Sequence, residues 1–182
     1  LSVSGLLSKK IGGPSVFPPL PPGVTELSYA GNFKWKTSQG EDQFRRGMYT
    51  FFKRTSPHPN LTTFDCPDAN TTCVDRQTSN TPLQALILLN NVVFTQAAQS
   101  FGKQLLEVKN LSDGERLNLA FERCVSRPMT GSESDQFGSL LGVSRKWYEA
   151  HPEDAKKLIG IYAVEGASPA ESAAWTATCR VM

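Results

Sequence analysis

Hydrophobic positions in the second half of the chain recur at helical spacing. Apolar residues there fall three or four positions apart, so that each set forms one stripe along a helix. The stripes comprise Phe94, Ala97, Ala98, Phe101 and Leu105, then Leu117, Phe121, Cys124 and Val125, then Phe137, Leu140, Leu141, Ser144 and Tyr148. We expect them to form the core of a helical region over residues 81–182.

Four segments of this region have the pattern of a helix N-terminus. In each, Ser or Thr is followed three residues later by Glu or Gln, so the hydroxyl can accept the later amide hydrogen while the longer side chain reaches back. These capping boxes begin at Thr81, Ser112, Thr130 and Ser168. Interruptions are expected at residues 90–91, 127–128 and 151–152. The pattern predicts a bundle of about five helices.

Residues 1–80 lack these stripes and contain a Pro/Gly-rich run at residues 12–23. We expect an irregular region with short β-strands, in which the run is an extended arm packed on the domain, with a polyproline ligand as the alternative. The expected fold class is therefore mainly α, with residues 1–182 forming a single domain or domain fragment. The chain begins with Leu1, and residues 171–181 resemble an unfinished helix, which indicates a piece of a longer protein.

Composition excludes several classes of protein. Of 182 residues, 39% are hydrophobic, which is typical of a folded domain and excludes global disorder. Nineteen basic and 17 acidic residues give a net charge of +2, so no general attraction to nucleic acid is expected. The longest strictly apolar run, residues 85–89, is far shorter than the roughly 20 residues of a membrane span.

The four cysteines have no C-x-x-C spacing, and the chain has two histidines. We therefore expect neither haem nor zinc, and no cofactor in this chain. Cys66 and Cys73 lie in one polar loop, where they can form a disulfide or remain free thiols. Cys124 and Cys179 are expected to be free thiols in the core. The loop acids could hold calcium, but the loop lacks the glycine of a calcium-binding hand.

Basic and aromatic residues alternate over residues 44–55. Such alternation also occurs in proteins that bind single-stranded nucleic acid. Because this cluster is isolated in a nearly neutral chain, ion pairing with the acids downstream is favoured. The resulting candidate cluster comprises Arg45, Arg46, Lys53, Arg54, Asp65, Asp68, Arg76, Asn80, Thr81 and Gln84.

Thr81 is expected to cap a helix whose positive end faces the loop with Asp65, Asp68 and Asp75. We interpret the cluster as an architectural junction, with a ligand site as the alternative. No G-x-S-x-G, phosphate-loop, G-x-G-x-x-G or H-E-x-x-H motif occurs, so no catalytic residue is assigned.

Several segments together resemble one protein family. GGPSVFPPLPPGV, RRGMYTFFKRTSP, SNTPLQAL and AAWTATCRV are similar to the C-terminal part of the planctomycete family DUF1553, or PSD1. The chain departs from it at Ser79, where Thr is expected, and at Cys66, where Ala is usual. The resemblance implies a large exported protein, periplasmic or on the cell surface, often with a preceding DUF1549-type domain and a cytochrome c-like domain.

The expected function is a non-catalytic structural or interaction module of that protein. Its partners would be other domains of the parent, with polysaccharide and cytochrome c-type proteins as further candidates. The alternative is part of a polysaccharide-active enzyme whose site is completed by regions preceding this chain. A cleft lined by Arg45, Arg46, Asp65 and Arg76 would favour the enzyme, and a buried, paired lattice would favour the module.

Overall fold

The chain is mainly α-helical, as its sequence predicts. A computed structural model describes residues 1–20, 34–54, 56–67, 69 and 71–182. Two 3-10 turns, Gly40–Phe44 and Gly47–Tyr49, precede the helices. In the described ranges the helices are α1 (Pro59–Thr63), α2 (Pro82–Asn90), α3 (Val92–Glu107), α4 (Asp113–Val125), α5 (Gly131–Ala150), α6 (Pro152–Ile159) and α7 (Pro169–Cys179). None of these described helices combines the length and the apolarity needed to cross a membrane.

All four predicted N-caps are confirmed. Thr81, Ser112 and Thr130 form complete capping boxes, with both reciprocal hydrogen bonds. Ser168 caps α7 by accepting the Glu171 amide hydrogen at 3.1 Å. The return bond is absent from this fourth site because the Glu171 carboxylate is bound elsewhere, to Arg145 and Trp175.

The predicted interruptions also occur. Asn91 separates α2 from α3, and its Oδ1 accepts the Val93 amide hydrogen at 2.9 Å, so it begins the second helix. His151 separates α5 from α6, and α4 ends at Val125, before the predicted break at residues 127–128. Six helices follow Thr81, one more than the expected five.

The expected short strands reduce to one isolated parallel bridge between Val16 and Thr50 among the described residues. Pro14, Pro18 and Pro19 surround Val16, and proline has no N–H to extend a ladder. Residues 12–20 are nevertheless held as a packed arm by hydrogen bonds such as that from the Trp35 indole to the Pro18 carbonyl, 2.8 Å. The end of the predicted arm, residues 21–23, lies outside the described residues.

By packing, the chain divides into two compact units. One consists of Leu1–Gly5 with Thr95–Met182, and the other of Leu6–Phe94. This division falls after Phe94, whereas the sequence pattern changes after Asn80. The prediction of a single domain stays a prediction.

The larger unit packs α7 mainly against α5 and α6. Trp175 of α7 is fully buried in a core with Phe101, Leu105, Leu117 and Leu141, which confirms much of the predicted stripes. Val125 is an exception, because it lies at the last turn of α4 and is 44% exposed. The unit Leu6–Phe94 has an aromatic cluster of its own, formed by Phe17, Trp35, Phe51 and His58.

Candidate functional site

Gln84 is the centre of the predicted polar cluster. Its backbone N–H donates to Thr81 Oγ1 at 3.3 Å, and the Thr81 N–H donates to Gln84 Oε1 at 3.1 Å. The Gln84 side chain also reaches the end of α1, donating from Nε2 to the Thr63 carbonyl at 2.9 Å. Gln84 is only 8% exposed. It therefore joins α1, the following loop and α2 at one buried point.

Asp65 and Ser79 complete this arrangement. The Ser79 N–H donates to Asp65 Oδ2 at 2.7 Å, and the Ser79 hydroxyl lies 2.9 Å from both carboxylate oxygens. Gln84 Nε2 donates to Ser79 Oγ at 3.0 Å and lies 3.5 Å from Asp65 Oδ2. The hydrogen bond from the Ser79 backbone, followed by that from its hydroxyl, lowers the pKa of Asp65. We call Thr63, Asp65, Ser79, Thr81 and Gln84 the Gln84 hub.

The predicted cap at Thr81 is confirmed, and the loop acid Asp65 lies beside it, whereas the junction interpretation stays a prediction. Asp65 contacts the first turn of α2, where a negative charge is favoured by the helix dipole. Asp65 also has φ 56°, a left-handed conformation that is uncommon outside glycine and directs the chain away from α1. Asp68 lies outside the described residues. Asn80 is exposed beside the hub.

Among the described residues, the predicted arginines are not paired with Asp65 or Asp75. Arg45 is buried and donates to the carbonyls of Lys10 at 3.0 Å, Gly12 at 2.6 Å and Pro14 at 3.4 Å. Its guanidinium carbon lies 3.7 Å from the centre of the Tyr49 ring. Arg45 thus fixes the backbone of the arm, a role that residue type and spacing do not reveal.

The other basic members lie nearer to solvent. Arg46, Arg54 and Arg76 are exposed, and Lys53 is half-buried. Within the described parts of the chain, no ion pair joins Arg45, Arg46, Arg54 or Arg76 to Asp65 or Asp75. Among the described residues, hydrogen bonds from Arg45 to backbone carbonyls and from Gln84 to Thr63 and Ser79 take the place of the expected acid–arginine pairs.

An open polar cleft of about 580 Å³ lies beside the hub. Its lining comprises Thr62, Asp65, Cys66, Pro67, Thr71, Thr72, Cys73, Val74, Asp75, Arg76 and Gln77. Arg45 and Arg46 do not belong to this lining, so only part of the set expected for an enzyme site is brought together. Cys66 and Cys73 are free thiols in the structure, and their disulfide stays a prediction.

Both histidines make structural contacts. His58 caps α1 by accepting the Asn60 amide hydrogen on Nδ1 at 3.3 Å, while Nε2 lies 3.3 Å from the Pro19 carbonyl. This pair of contacts requires a neutral ring with its hydrogen on Nε2. Burial lowers the pKa of His58, outweighing the opposite effect of Pro19. His151 stacks on Trp147, with ring centres 4.1 Å apart.

A second charged network occurs in the unit with α7. Arg145 binds both oxygens of Glu171, at 2.5 and 2.7 Å, and lies 3.0 Å from Asp113. Glu171 also accepts from the fully buried Trp175 indole at 2.8 Å. Burial raises the pKa of Glu171, but the hydrogen bonds from Arg145 and Trp175 outweigh burial and lower it overall.

The sequence indicated Glu171 as a capping residue and did not predict this network. The only signal in the sequence was the spacing of four between Glu171 and Trp175 along α7, and nothing in the sequence pointed to Arg145.

Glu171 also borders an open cleft of about 840 Å³, formed by the end of α3 and residues 164–168. The described residues contain no group of three or more His, Cys, Asp or Glu side chains that could hold a metal ion.

Comparison with known proteins places the chain in a family. Neither characterised proteins nor solved structures include a significant match to it. A family model described as a protein of unknown function (DUF1553), PSD1, matches residues 1–141. Because the match extends over most of the chain, this protein belongs to the DUF1553 (PSD1) family.

Proposed function

We propose that the chain is a non-catalytic structural and interaction module of a larger exported protein, and that α2 packs against another domain of that protein. The observation that carries this proposal is the orientation of α2. A surface helix normally buries its apolar side and exposes its polar side. In α2 the buried residue is Gln84, while Leu83 is 55% and Leu86 57% exposed.

Leu83, Leu86 and Leu89 recur at a spacing of three and share one face of α2. Leu89 is 48% exposed. Gln84 lies on nearly the opposite side, since each residue turns the helix by about 100°. We call these three leucines the leucine stripe. Exposed apolar surface of this kind is typical of a contact with another protein surface.

The Gln84 hub explains why α2 adopts this orientation. Turning the leucines inward would remove Gln84 from Thr63, Ser79 and Thr81, and would leave their polar groups without partners in a protected place. The hub residues therefore support the stripe and have an architectural role. Their hydrogen bonds are made to the framework of the fold, which favours the junction interpretation over a catalytic one.

The charge pattern indicates what kind of surface covers the stripe. No Asp, Glu, Lys or Arg occurs between Arg76 and Lys103, so α2 and its neighbours along the chain are uncharged. A helix that binds a lipid surface usually carries Lys or Arg on its polar side, and α2 carries none. An uncharged apolar surface of a neighbouring domain matches the stripe better, because no charge would be desolvated on either side.

The test uses the longer protein in which this chain occurs. A photoreactive p-benzoylphenylalanine replaces Leu86, and cross-linked peptides are identified by mass spectrometry after irradiation. We expect cross-links to another domain of the same molecule. The matched control carries the same group at Val143, which is 63% exposed on α5, and should give no such cross-links. Equal products from both positions, or none from Leu86, would reject the docking role.

The alternative, a contribution to a polysaccharide-active site, has its own measurement. Asp65, Asp75 and Arg76 line the 580 Å³ cleft and could contact a polar ligand. If the longer protein bound a member of a polysaccharide panel and Arg76→Ala abolished that binding without changing the melting temperature, the cleft would be a ligand site. We expect Arg76→Ala to change neither property.

A further inference from the structure

We propose that Cys66 and Cys73 are a dithiol pair that oxidises to an intramolecular disulfide, linking the end of the α1 turn to the middle of the loop that leads to α2. The inference concerns the cleft beside the hub and does not depend on the docking of α2. Both cysteines line this cleft, and both are free thiols in the structure.

The loop that carries the pair is closed at its base. Asp65 stands at its beginning and Ser79 at its end, and the hydrogen bonds from the Ser79 N–H and hydroxyl to the Asp65 carboxylate hold the two ends together. Cys66 lies at the base of this closed loop and Cys73 near its middle, and both line the same cleft. A bond between them requires the stretch of six residues that separates them to turn back. Cys66 follows Asp65 directly, and its N–H donates to the Leu61 carbonyl at 2.9 Å.

The two thiols differ in their exposure to solvent. Cys66 is half-buried and anchored to α1, whereas residues 71–80 are all exposed, so few packing contacts resist a shift of Cys73. The Cys73 thiol donates to the Asp75 carbonyl at 2.9 Å, which holds it within the same loop. Cys73 is thus the sulfur that meets an external reagent, and Cys66 is the one that resolves it.

The other two cysteines are unsuited to this chemistry. Cys179 is buried in the core and Cys124 packs against it. Burial raises the pKa of both thiols, which disfavours the reactive thiolate. Zinc binding would require about four ligands, and the described part of the cleft supplies no cluster of three.

The reaction balances with a low-molecular-weight disulfide, such as oxidised glutathione, as the oxidant. The Cys73 thiolate attacks one sulfur of the reagent, forming a mixed disulfide and releasing one thiolate. The Cys66 thiolate then attacks Cys73 Sγ and expels the second thiolate. Two electrons pass from the protein to the reagent, and the two protein thiol protons are taken up by the released thiolates.

The experiment equilibrates the whole chain in reduced or oxidised glutathione, blocks remaining thiols in denaturant and maps the product by mass spectrometry. Cleavage before aspartate cuts between Pro67 and Asp68 and separates the two cysteines. We expect the peptides of residues 65–67 and 68–74 to be joined in the oxidised sample only. Two of the four thiols should then remain available for alkylation.

Two variants make the result specific. Cys124→Ser should keep the link, whereas Cys73→Ser should lose it and leave Cys66 as a thiol or a glutathione adduct. In oxidised buffer the melting temperature should rise for the unchanged chain and for Cys124→Ser, and should not rise for Cys73→Ser. Four free thiols in oxidised buffer, a bond mapped to Cys124 or Cys179, or stoichiometric zinc would overturn the proposal.

Discussion

Replacing Gln84 by glutamate tests whether the hub supports the fold. The two side chains have nearly the same shape, and the introduced carboxylate could still accept the Thr81 N–H. The substitution removes the donor Nε2, which now serves the Thr63 carbonyl at 2.9 Å and Ser79 Oγ at 3.0 Å. It also places a second carboxylate beside Asp65.

The magnitude follows from the hydrogen bonds that are lost. Two bonds at about 1 kcal/mol each amount to about 2 kcal/mol. A negative charge in the first turn of α2 gains about 0.5 kcal/mol from the helix dipole, which is smaller. We therefore expect the free energy of unfolding to fall by at least about 1.5 kcal/mol at pH 7, measured by urea unfolding.

The pH dependence gives this prediction a second readout. Burial and the neighbouring Asp65 should raise the folded-state pKa of the introduced carboxyl group above its unfolded value of about 4.3. The unfolded chain then loses this proton first as pH rises, so the deficit should be largest at neutral pH. This deficit in stability should shrink as pH falls through the raised folded-state pKa.

Gln77→Glu, at an exposed position of the same loop, is the control and should change the free energy of unfolding by less than about 0.5 kcal/mol. A Gln84→Glu deficit as small as that of the control would refute the structural role of the hub.

Two further predictions concern backbone packing and pH. Gly102 of α3 approaches α7 so closely that a Cβ would lie 3.2 Å from the Thr176 backbone nitrogen, so Gly102→Ala should lower the free energy of unfolding by about 1 kcal/mol. Gly142→Ala, where no atom lies within 4 Å, should raise it by about 1 kcal/mol; similar gains from both in urea unfolding would contradict the close contact. Because burial lowers the pKa of His58, the unfolded chain binds its proton first, and stability should fall as pH drops below about 6.5. His58→Asn, which keeps a capping side chain, should flatten this dependence in thermal melts between pH 5 and 7, and an equally steep fall in this variant would contradict the role of His58.

Local physics explains why the helices could be predicted. A capping box joins residues only three apart, so Thr81, Ser112 and Thr130 could be recognised without knowing what surrounds them. The break at Asn91 and that before Pro152 have equally local causes. The family resemblance rested on similar stretches of consecutive residues.

Long-range contacts decided what those local patterns left open. The Ser168 cap formed as predicted, but Glu171 bound Arg145, 26 residues away, in place of its own helix end. Arg45 bound carbonyls more than 30 residues away, although its charge had suggested an acidic partner. A buried side chain needs partners for its donors within the protein. Which side chains are buried depends on the folded chain, so the sequence alone does not show which partners they bind.

The orientation of α2 shows the same division. The sequence by itself determined where α2 begins, because Thr81, Pro82 and Gln84 form a local cap. Its apolar residues surround most of the helix, so their pattern does not select an inner face. Only the tertiary structure placed Gln84 inward, since Thr63 and Ser79 provide acceptors there that the leucines cannot use. Local hydrogen bonds thus determined the helix, and distant polar partners determined which of its faces meets solvent.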